Sequence, residues 1–289
     1  MAVNLPIALL ALAALQQQTD TTVSVPAGAR LRLHVHAGAI RVTTWERGDL
    51  RVRAEHGSRD HVVVEVRGSV VRVDARRRMG GPAIVDYDLT VPVGMALDLG
   101  GVDTHVTVTG PVGDVSASSV EGDIDVRGVG GAVSVNTVEG DIVVEGGRGS
   151  VRATGVDGDV RVANVRGDVV VETVDGDVTL DDIDGGNVDV GSVDGTIEYR
   201  GTIRDGGRYR FTSHDGDVIL AVPEGINATV SVATFDGSFE ADPAFRVQIT
   251  EARPGKRFSF ALGNGSARVE LESFDGSIRL VRRNAPGRD

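Results

Sequence analysis

Two columns of carboxylates are the residues of this chain with the clearest potential for chemistry. The segment Val120-Glu121-Gly122-Asp123-Ile124 recurs three times at a spacing of eighteen residues, and each copy has an acid on either side of a glycine. The acids before the glycine are Glu121, Glu139, Asp157 and Asp175, and those after it are Asp123, Asp141, Asp159 and Asp177. If the repeats stack, neighbouring carboxylates in a column lie about 5 Å apart and repel by roughly 0.8 kcal/mol in water. Backbone N–H groups, solvent or a cation must offset this repulsion.

The favoured interpretation is that these aspartates accept hydrogen bonds from turn backbone, and calcium binding is the alternative. Glycine–aspartate nonapeptides with two units per coil are typical of calcium-binding β-rolls, whose motif is G-G-x-G-x-D-x-U-x. Here most units have one glycine, and the aspartate follows it directly. Calcium needs six to eight oxygen ligands around one point. The calcium candidates are Asp123, Asp141, Asp159 and Asp177, and no other cofactor is expected.

Other catalytic or metal-binding patterns are weak in this sequence. The chain has no cysteine, which excludes thiol nucleophiles and cysteine-ligated metals. His34 and His36 share one face of a predicted strand, and His56 and His61 are near in sequence, but no acid accompanies them at a fixed spacing. Solenoid enzymes that act on polysaccharides use carboxylate pairs, yet an active site usually interrupts a repeat, and this ladder is regular. We therefore expect no enzymatic activity.

The elements that position the carboxylates are short strands with a nine-residue rhythm. Weaker copies of the motif lie midway between the strong ones, so two nine-residue units make each eighteen-residue period. After each corner glycine, β-branched residues alternate, as in Ile124 and Val126, which is typical of a strand with one buried face. Such a strand buries its face only when successive coils stack. The sequence therefore predicts an all-β, single-stranded β-solenoid, similar to a β-helix, with coils of about 18–20 residues and two short strands per coil.

Three regions of this solenoid follow a leader. The apolar run from Leu5 to Leu15 and the small residues around Leu12 predict a signal peptide over residues 1–18. A continuous solenoid is expected over 19–283, with irregular strands over 21–100, regular repeats over 101–200 and looser coils over 201–283. Residues 284–289 are expected to be a disordered tail. All seven phenylalanines lie at or after Phe211, which predicts a wider core or an aromatic plug there, and Pro254-Gly255 stands where one copy of the motif is missing.

Charge and hydropathy limit which partners and which cellular compartment the protein can have. The net charge of −12 argues against a nucleic-acid partner. No second apolar run of transmembrane length follows the leader. We expect an exported protein that is periplasmic, on the cell surface or extracellular, with an envelope polymer or a protein as its partner.

The repeats and the N-terminal strands resemble a known family. The opening Val25-Pro-Ala-Gly-Ala-Arg-Leu-Arg-Leu, the Thr43-Thr44-Trp45 before an arginine-rich strand, and the V-[ED]-G-D-[IV]-x-V ladder are similar to the DUF4097 family of adhesin-type β-strand repeat proteins of bacterial envelopes. The resemblance covers roughly residues 21 to 283. It implies an exported, adhesin-like β-solenoid and carries over no catalytic residue. The alternatives are a calcium-binding β-roll and a polysaccharide-binding or polysaccharide-active solenoid.

Overall fold

Two long β-sheets, one of 13 strands and one of 14, make up the described part of the protein. The computed structural model describes residues 17–78, 80–245, 247, 249–253 and 256–283. The leader before residue 17, the tail 284–289 and Pro254-Gly255 lie outside the described residues. Gln17 and Gln18, at the end of the predicted leader, begin the first strand.

The strands are numbered in chain order. The N-terminal strands are β1 (Gln17–Ser24), β2 (Arg30–His34), β3 (Ala37–Trp45), β4 (Asp49–His56), β5 (Asp60–Arg67), β6 (Val70–Arg77), β7 (Val85–Pro92), β8 (Ala96–Gly100) and β9 (Asp103–Thr109). The central strands are β10 (Val115–Ser118), β11 (Ile124–Val129), β12 (Val133–Asn136), β13 (Ile142–Gly147), β14 (Val151–Thr154), β15 (Val160–Val165), β16 (Val169–Glu172), β17 (Val178–Ile183), β18 (Asn187–Asp194) and β19 (Ile197–Gly201). The C-terminal strands are β20 (Arg208–Asp215), β21 (Val218–Val222), β22 (Ala228–Thr234), β23 (Phe239–Ala241), β24 (Ile249–Arg253), β25 (Lys256–Leu262), β26 (Ala267–Asp275) and β27 (Ile278–Arg282), with a 3₁₀ turn at Pro243–Phe245.

The central coils confirm the predicted solenoid. Each coil from β10–β11 to β16–β17 has one four-residue strand in the 14-stranded sheet and one six-residue strand in the 13-stranded sheet. Strands pair in parallel with their equivalents eighteen residues on, as Ile124 does with Ile142 and Val126 with Val144. These four side chains are almost fully buried. The alternating valines therefore fill the space between the two sheets, as the period-two pattern predicts.

Both ends of the stack depart from chain order. The coil β2–β3 lies between the coil β8–β9 and the outer coil β6–β7. At the other end, the last coil of the chain, β26–β27, lies between β20–β21 and β22–β23. The prediction that every strand pairs with its equivalent one coil on is therefore wrong at both ends. The outermost parallel coils are contributed by internal segments of the chain.

Antiparallel strands cover the outermost coils. At the N-terminal end, β4 pairs with β7, β1 with β4, and β5 with β6. At the other end, β25 pairs with β22 and β24 with β25, so a hairpin occupies the region where the motif copy is missing. Repeat proteins need such atypical end units, because an open coil would expose both core and unpaired backbone.

Aromatic side chains fill the C-terminal part of the core, as expected from the distribution of phenylalanine. Tyr199 and Phe211 are fully buried, with ring centroids 5.1 Å apart. Near the end of the stack, Phe239 packs edge-on against Phe258 at 5.1 Å, and the ring centroid of Phe260 lies 5.7 Å from that of Phe239 and 6.4 Å from that of Phe258. Rings of this size fill a wider interior than the valines of the central coils do.

The outer strand β1 is held by a carboxylate that predicts a pH dependence. Asp20 accepts hydrogen bonds from Arg51 at 2.6 and 2.9 Å and from Arg53 at 3.1 Å. These arginines, Arg51 first, lower the pKa of Asp20 to about 2 from its usual 3.8. The contribution of Asp20 to stability is therefore complete above about pH 4 and is lost as the pH falls toward 2. In a carboxyl NMR titration we expect a midpoint near 2 for Asp20, and a midpoint near 3.8 would contradict this arrangement.

Candidate functional site

One corner of each coil carries the acidic motif, and its shape depends on a stack of glycines. Gly122, Gly140, Gly158 and Gly176 have φ between 125° and 134°, a region that favours glycine. A Cβ on Gly158 would lie 2.3 Å from the carbonyl oxygen of Gly140, one coil away. The positive φ and the close backbone stacking are therefore two separate reasons for glycine at this corner.

The four calcium candidates form a hydrogen-bonded ladder along this corner. The backbone N–H of Asp141 donates to the Oδ1 of Asp123 at 3.0 Å. Asp159 donates in the same way to Asp141, and Asp177 to Asp159, each at 2.9 Å. The N–H of Thr196 continues the ladder to Asp177 at 2.8 Å. Each of these carboxylates therefore accepts a backbone hydrogen bond from the next coil, which offsets the repulsion within the column.

Buried hydroxyls hold the inner side of the same corner. Ser119 Oγ donates to carbonyl oxygens at the corner, with both Thr104 and Glu121 at 2.9 Å. Thr137 occupies the equivalent position in the next coil and lies within 3.3 Å of the carbonyl oxygens of Gly122 and Glu139. Both the outer carboxylates and the inner hydroxyls of this corner therefore bond to backbone, which ties neighbouring coils together.

Removing one carboxylate of the ladder should lower the free energy of unfolding only slightly, and removing metal ions should leave it unchanged. Asp141→Ala deletes the acceptor of the Asp159 N–H, which we expect to lower the free energy of unfolding by about 1 kcal/mol. Asp141→Asn retains an acceptor oxygen and should be close to wild type. Glu139→Ala, in the neighbouring exposed column, is the control and should change stability less. The thermal melt of the wild-type protein should be identical in EDTA and in millimolar calcium, and folding that requires calcium would contradict the backbone-capping role.

The first residue of each motif copy, which precedes the first acid, contributes to an exposed apolar ridge along the same edge. Pairing of the corners keeps equivalent residues in register from coil to coil. The side chains of this apolar ridge, in spatial order, are Val102, Val120, Val138, Val156, Val174, Val193, His214, Phe274 and Phe235. The six valines are 42–50% exposed, although the Val or Ile four residues after each of them is buried. With coils about 4.8 Å apart, the ridge is about 40 Å long.

Exposed carboxylates line one side of the apolar ridge. They are Asp103, Glu121, Glu139, Asp157, Asp175, Asp194, Asp215, Asp275 and Asp236, one on each coil. Beyond them lies the Asp123–Asp177 ladder, whose carboxylates are exposed at their outer surface. The edge therefore combines an apolar strip with a strongly negative border. Contiguous exposed apolar surface of this kind is uncommon on proteins that bind nothing.

The apolar ridge ends in stacked aromatic rings. Phe274 lies between His214 and Phe235, with ring centroids 4.9 and 4.8 Å away. Phe235 is 71% exposed, so the face turned away from Phe274 is open to solvent. A depression beside these rings is lined by Arg257 and Glu272, whose charged groups approach to 3.6 Å. This end of the ridge offers both an aromatic face and polar side chains.

The other residues singled out for chemistry do not converge on a site. His56 Nε2 lies 2.8 Å from Thr19 Oγ1, and His34 lies 3.7 Å from a carboxylate oxygen of Asp98. No group of three or more metal-ligating side chains occurs within the described residues. Among the described carboxyl groups, the pKa values of Asp20 and Asp184 clearly depart from the usual value. Neighbouring arginines lower both of them, whereas a general acid needs a raised pKa.

The strand pairing and the motif ladder agree with the comparison with known families. The sequence profile of the family described as Toastrack DUF4097 matches residues 28–281, which is most of the chain. The chain belongs to the Toastrack family. The resemblance seen in the sequence is thereby confirmed, and so is the all-β solenoid class.

Other comparisons add little to the Toastrack assignment. A solved structure from Clostridium sporogenes, described as a "putative cell adhesion protein", aligns over 93% of this chain and 100% of its own, with 10% identity and a TM-score of 0.28. A TM-score this low supports no argument about fold or function. No curated protein matches the chain. Within the described residues, no helix has the length and apolar character needed to cross a membrane.

Sequence reasoning found the acidic columns of this Toastrack protein and missed the apolar ridge. The valine of the V-[ED]-G-D motif lies four residues before the first buried residue of the strand, so simple alternation would place it inside. The corner turns it outward instead. The signal was present, since an apolar residue recurs at this place in six successive coils and becomes aromatic in the last ones.

Proposed function

We propose that this Toastrack protein is a non-catalytic, exported protein of the bacterial cell envelope that acts as an adhesin-like interaction scaffold. The observation that carries the proposal is the apolar ridge, whose nine exposed side chains lie in register along one edge. The apolar run from Leu5 to Leu15 supports export, and the regular central coils favour a binding role over a catalytic one.

The chemistry of the edge favours one general kind of partner. An apolar strip bordered by carboxylates favours an extended partner that presents apolar groups and basic groups side by side. Valine side chains have few rotamers, so binding to the ridge orders little side-chain freedom, and a long, shallow contact can hold without a deep pocket. An envelope polymer with amino groups or a basic segment of an envelope protein would fit this description.

The test compares binding of three forms of the protein to isolated envelopes of the source bacterium. The ridge variant replaces Val120, Val138 and Val156 by serine, which removes the apolar groups from the middle of the ridge. These side chains are already 42–43% exposed, so the change should not disturb the core. Ile84, Val93 and Val281, also exposed and also replaced by serine, form the matched control outside the ridge. We expect envelope binding to fall at least about tenfold for the ridge variant only, a loss of about 1.4 kcal/mol.

Two outcomes of this test would contradict the proposal. One is equal binding by both serine variants, and the other is recovery of the native protein from the cytoplasmic fraction of the bacterium. Unchanged melting temperatures of both variants would show that any loss of binding does not reflect unfolding.

Polysaccharide binding at the aromatic end of the ridge is the second candidate. The open face of Phe235 and the nearby Arg257 and Glu272 provide a stacking surface and hydrogen-bonding groups, which are the features that sugar rings use. Phe235→Ala should then abolish binding of envelope polysaccharide, while Val120→Ser, about seven coils away, should leave it intact. Equal effects of the two substitutions would contradict a local sugar site.

A further inference from the structure

The strand β5 ends the 14-stranded sheet and has an unusual composition for a strand at a sheet edge. Its sequence over Asp60–Arg67 is DHVVVEVR, and its neighbour within the described structure is β6 on one side only. Val62 and Val64 pack partly against the core, and Val66 is 42% exposed. Long apolar edge strands invite pairing with another chain, so proteins usually protect them.

The other edges for which side chains are described carry such protection. At one edge of the 13-stranded sheet, β1 has the polar sequence QQTDTTVS. At its other edge, β23 has three residues and is followed by Pro243. The strand β5 is eight residues long and contains no proline, and the residues whose backbone groups point away from β6, Val62, Val64 and Val66, carry no charge.

The hairpin between β5 and β6 determines which backbone groups of β5 point outward. Its loop has two residues, because Arg67 pairs with Val70. In such a hairpin the residues flanking the loop exchange hydrogen bonds, and every second pair after them does so too. The N–H of Arg78 bonds the carbonyl of Arg59 at 2.9 Å, which agrees with this phase. The backbone groups of Val62, Val64 and Val66 therefore point away from β6.

We propose that β5 pairs antiparallel with β5 of a second copy, with Val64 opposite Val64 of the partner. In this register Val62 lies opposite the partner's Val66, so all three outward-bonding residues of each chain exchange both of their hydrogen bonds. The inward-facing valines of the two copies become neighbours. Glu65 lies opposite the partner's Val63, and the partner's Glu65 is a diagonal neighbour about 7–8 Å away. The ion pairs of each Glu65 with Arg67 and Arg76 of its own chain offset this like charge. The contact is the same patch on both chains and closes as a two-fold dimer, which joins two 14-stranded sheets end to end.

The interface is small, so the dimer should be observed at high protein concentration. We expect sedimentation equilibrium to give twice the chain mass at concentrations on the order of 100 µM and the monomer mass after dilution. Val64→Pro should abolish the dimer without unfolding the chain, because the N–H of this residue makes no bond to β6. Thr22→Pro, on the polar edge strand β1, is the control and should leave the dimer intact.

Single cysteines test the register, since the native chain has none. Two residues that exchange hydrogen bonds across antiparallel strands have Cα atoms about 5.5 Å apart, which a disulfide can span. Two copies of residue 66 would be four residues apart along the strands, about 13 Å. Mild oxidation should therefore cross-link Val64→Cys and not Val66→Cys. Equal cross-linking of both variants, or a monomer at every concentration, would overturn the proposal, and neither outcome bears on binding at the apolar ridge.

Discussion

Replacing Gly158 by alanine is expected to destabilise the protein by about 4 kcal/mol or to prevent folding. The φ of Gly158 is 134°, and a Cβ there would lie 2.3 Å from the carbonyl oxygen of Gly140 and 2.7 Å from its carbonyl carbon. Both obstacles are backbone atoms, so no side chain can move to relieve them. Every coil above and below depends on the same close stacking, and the disturbance would pass to the neighbouring corners.

The comparison that isolates this effect uses Gly191, which lies within β18. A Cβ at Gly191 would meet no heavy atom within 4 Å, and its φ is not in the left-handed region. Gly191→Ala should change the free energy of unfolding by less than about 1 kcal/mol. Urea denaturation of both variants measures the difference, and equal midpoints would show that the glycine stack does not set the geometry of the corner.

Deleting the last coil of the chain, residues 267–289, is expected to destabilise the protein far more than the loss of an end coil would. The coil β26–β27 lies inside the stack, and Val269, Leu271, Ile278 and Leu280 are almost fully buried. Its removal would leave β20–β21 unpaired on their outer side and would separate β22–β23 from the rest of the stack. We expect β22–β25 to lose amide protection entirely and the melting temperature to fall by more than about 10 °C.

The control for this deletion removes β1, residues 17–24, at the other end. That strand pairs on one side only and has no buried residue in its described length. Its loss should leave the remaining strands protected. If deletion of 267–289 left β22–β25 protected from hydrogen exchange, the inserted position of the last coil would be wrong.

The central coils could be predicted from the sequence because their information is local. The glycine of each corner, the aspartate after it and the alternating valines define strand, turn and period within eighteen residues, and parallel pairing of Ile124 with Ile142 follows. The aspartate ladder was also predictable in kind, since a turn aspartate that accepts a backbone hydrogen bond was the favoured interpretation.

The order of the end coils could not be predicted from local sequence patterns. Strands such as Val218–Val222 and Ile278–Arg282 carry similar alternation, so pattern alone does not say which of them pairs with which. Their order depends on long-range competition between nearly equivalent partners and on the space that hairpins such as β24–β25 occupy. The apolar ridge was missed for a different reason, because its exposure depends on the direction in which each corner turns.

The most direct test of the central claim, that the apolar ridge is the binding edge, is hydroxyl-radical footprinting of the protein bound to isolated envelopes. Phe235 and Phe274 are exposed reporters at the aromatic end of the ridge, and Ile84, 61% exposed, is a reporter outside it. We expect binding to lower the oxidation of Phe274, Phe235 and the ridge valines and to leave that of Ile84 unchanged. Protection of Ile84 without protection of the ridge would contradict the claim.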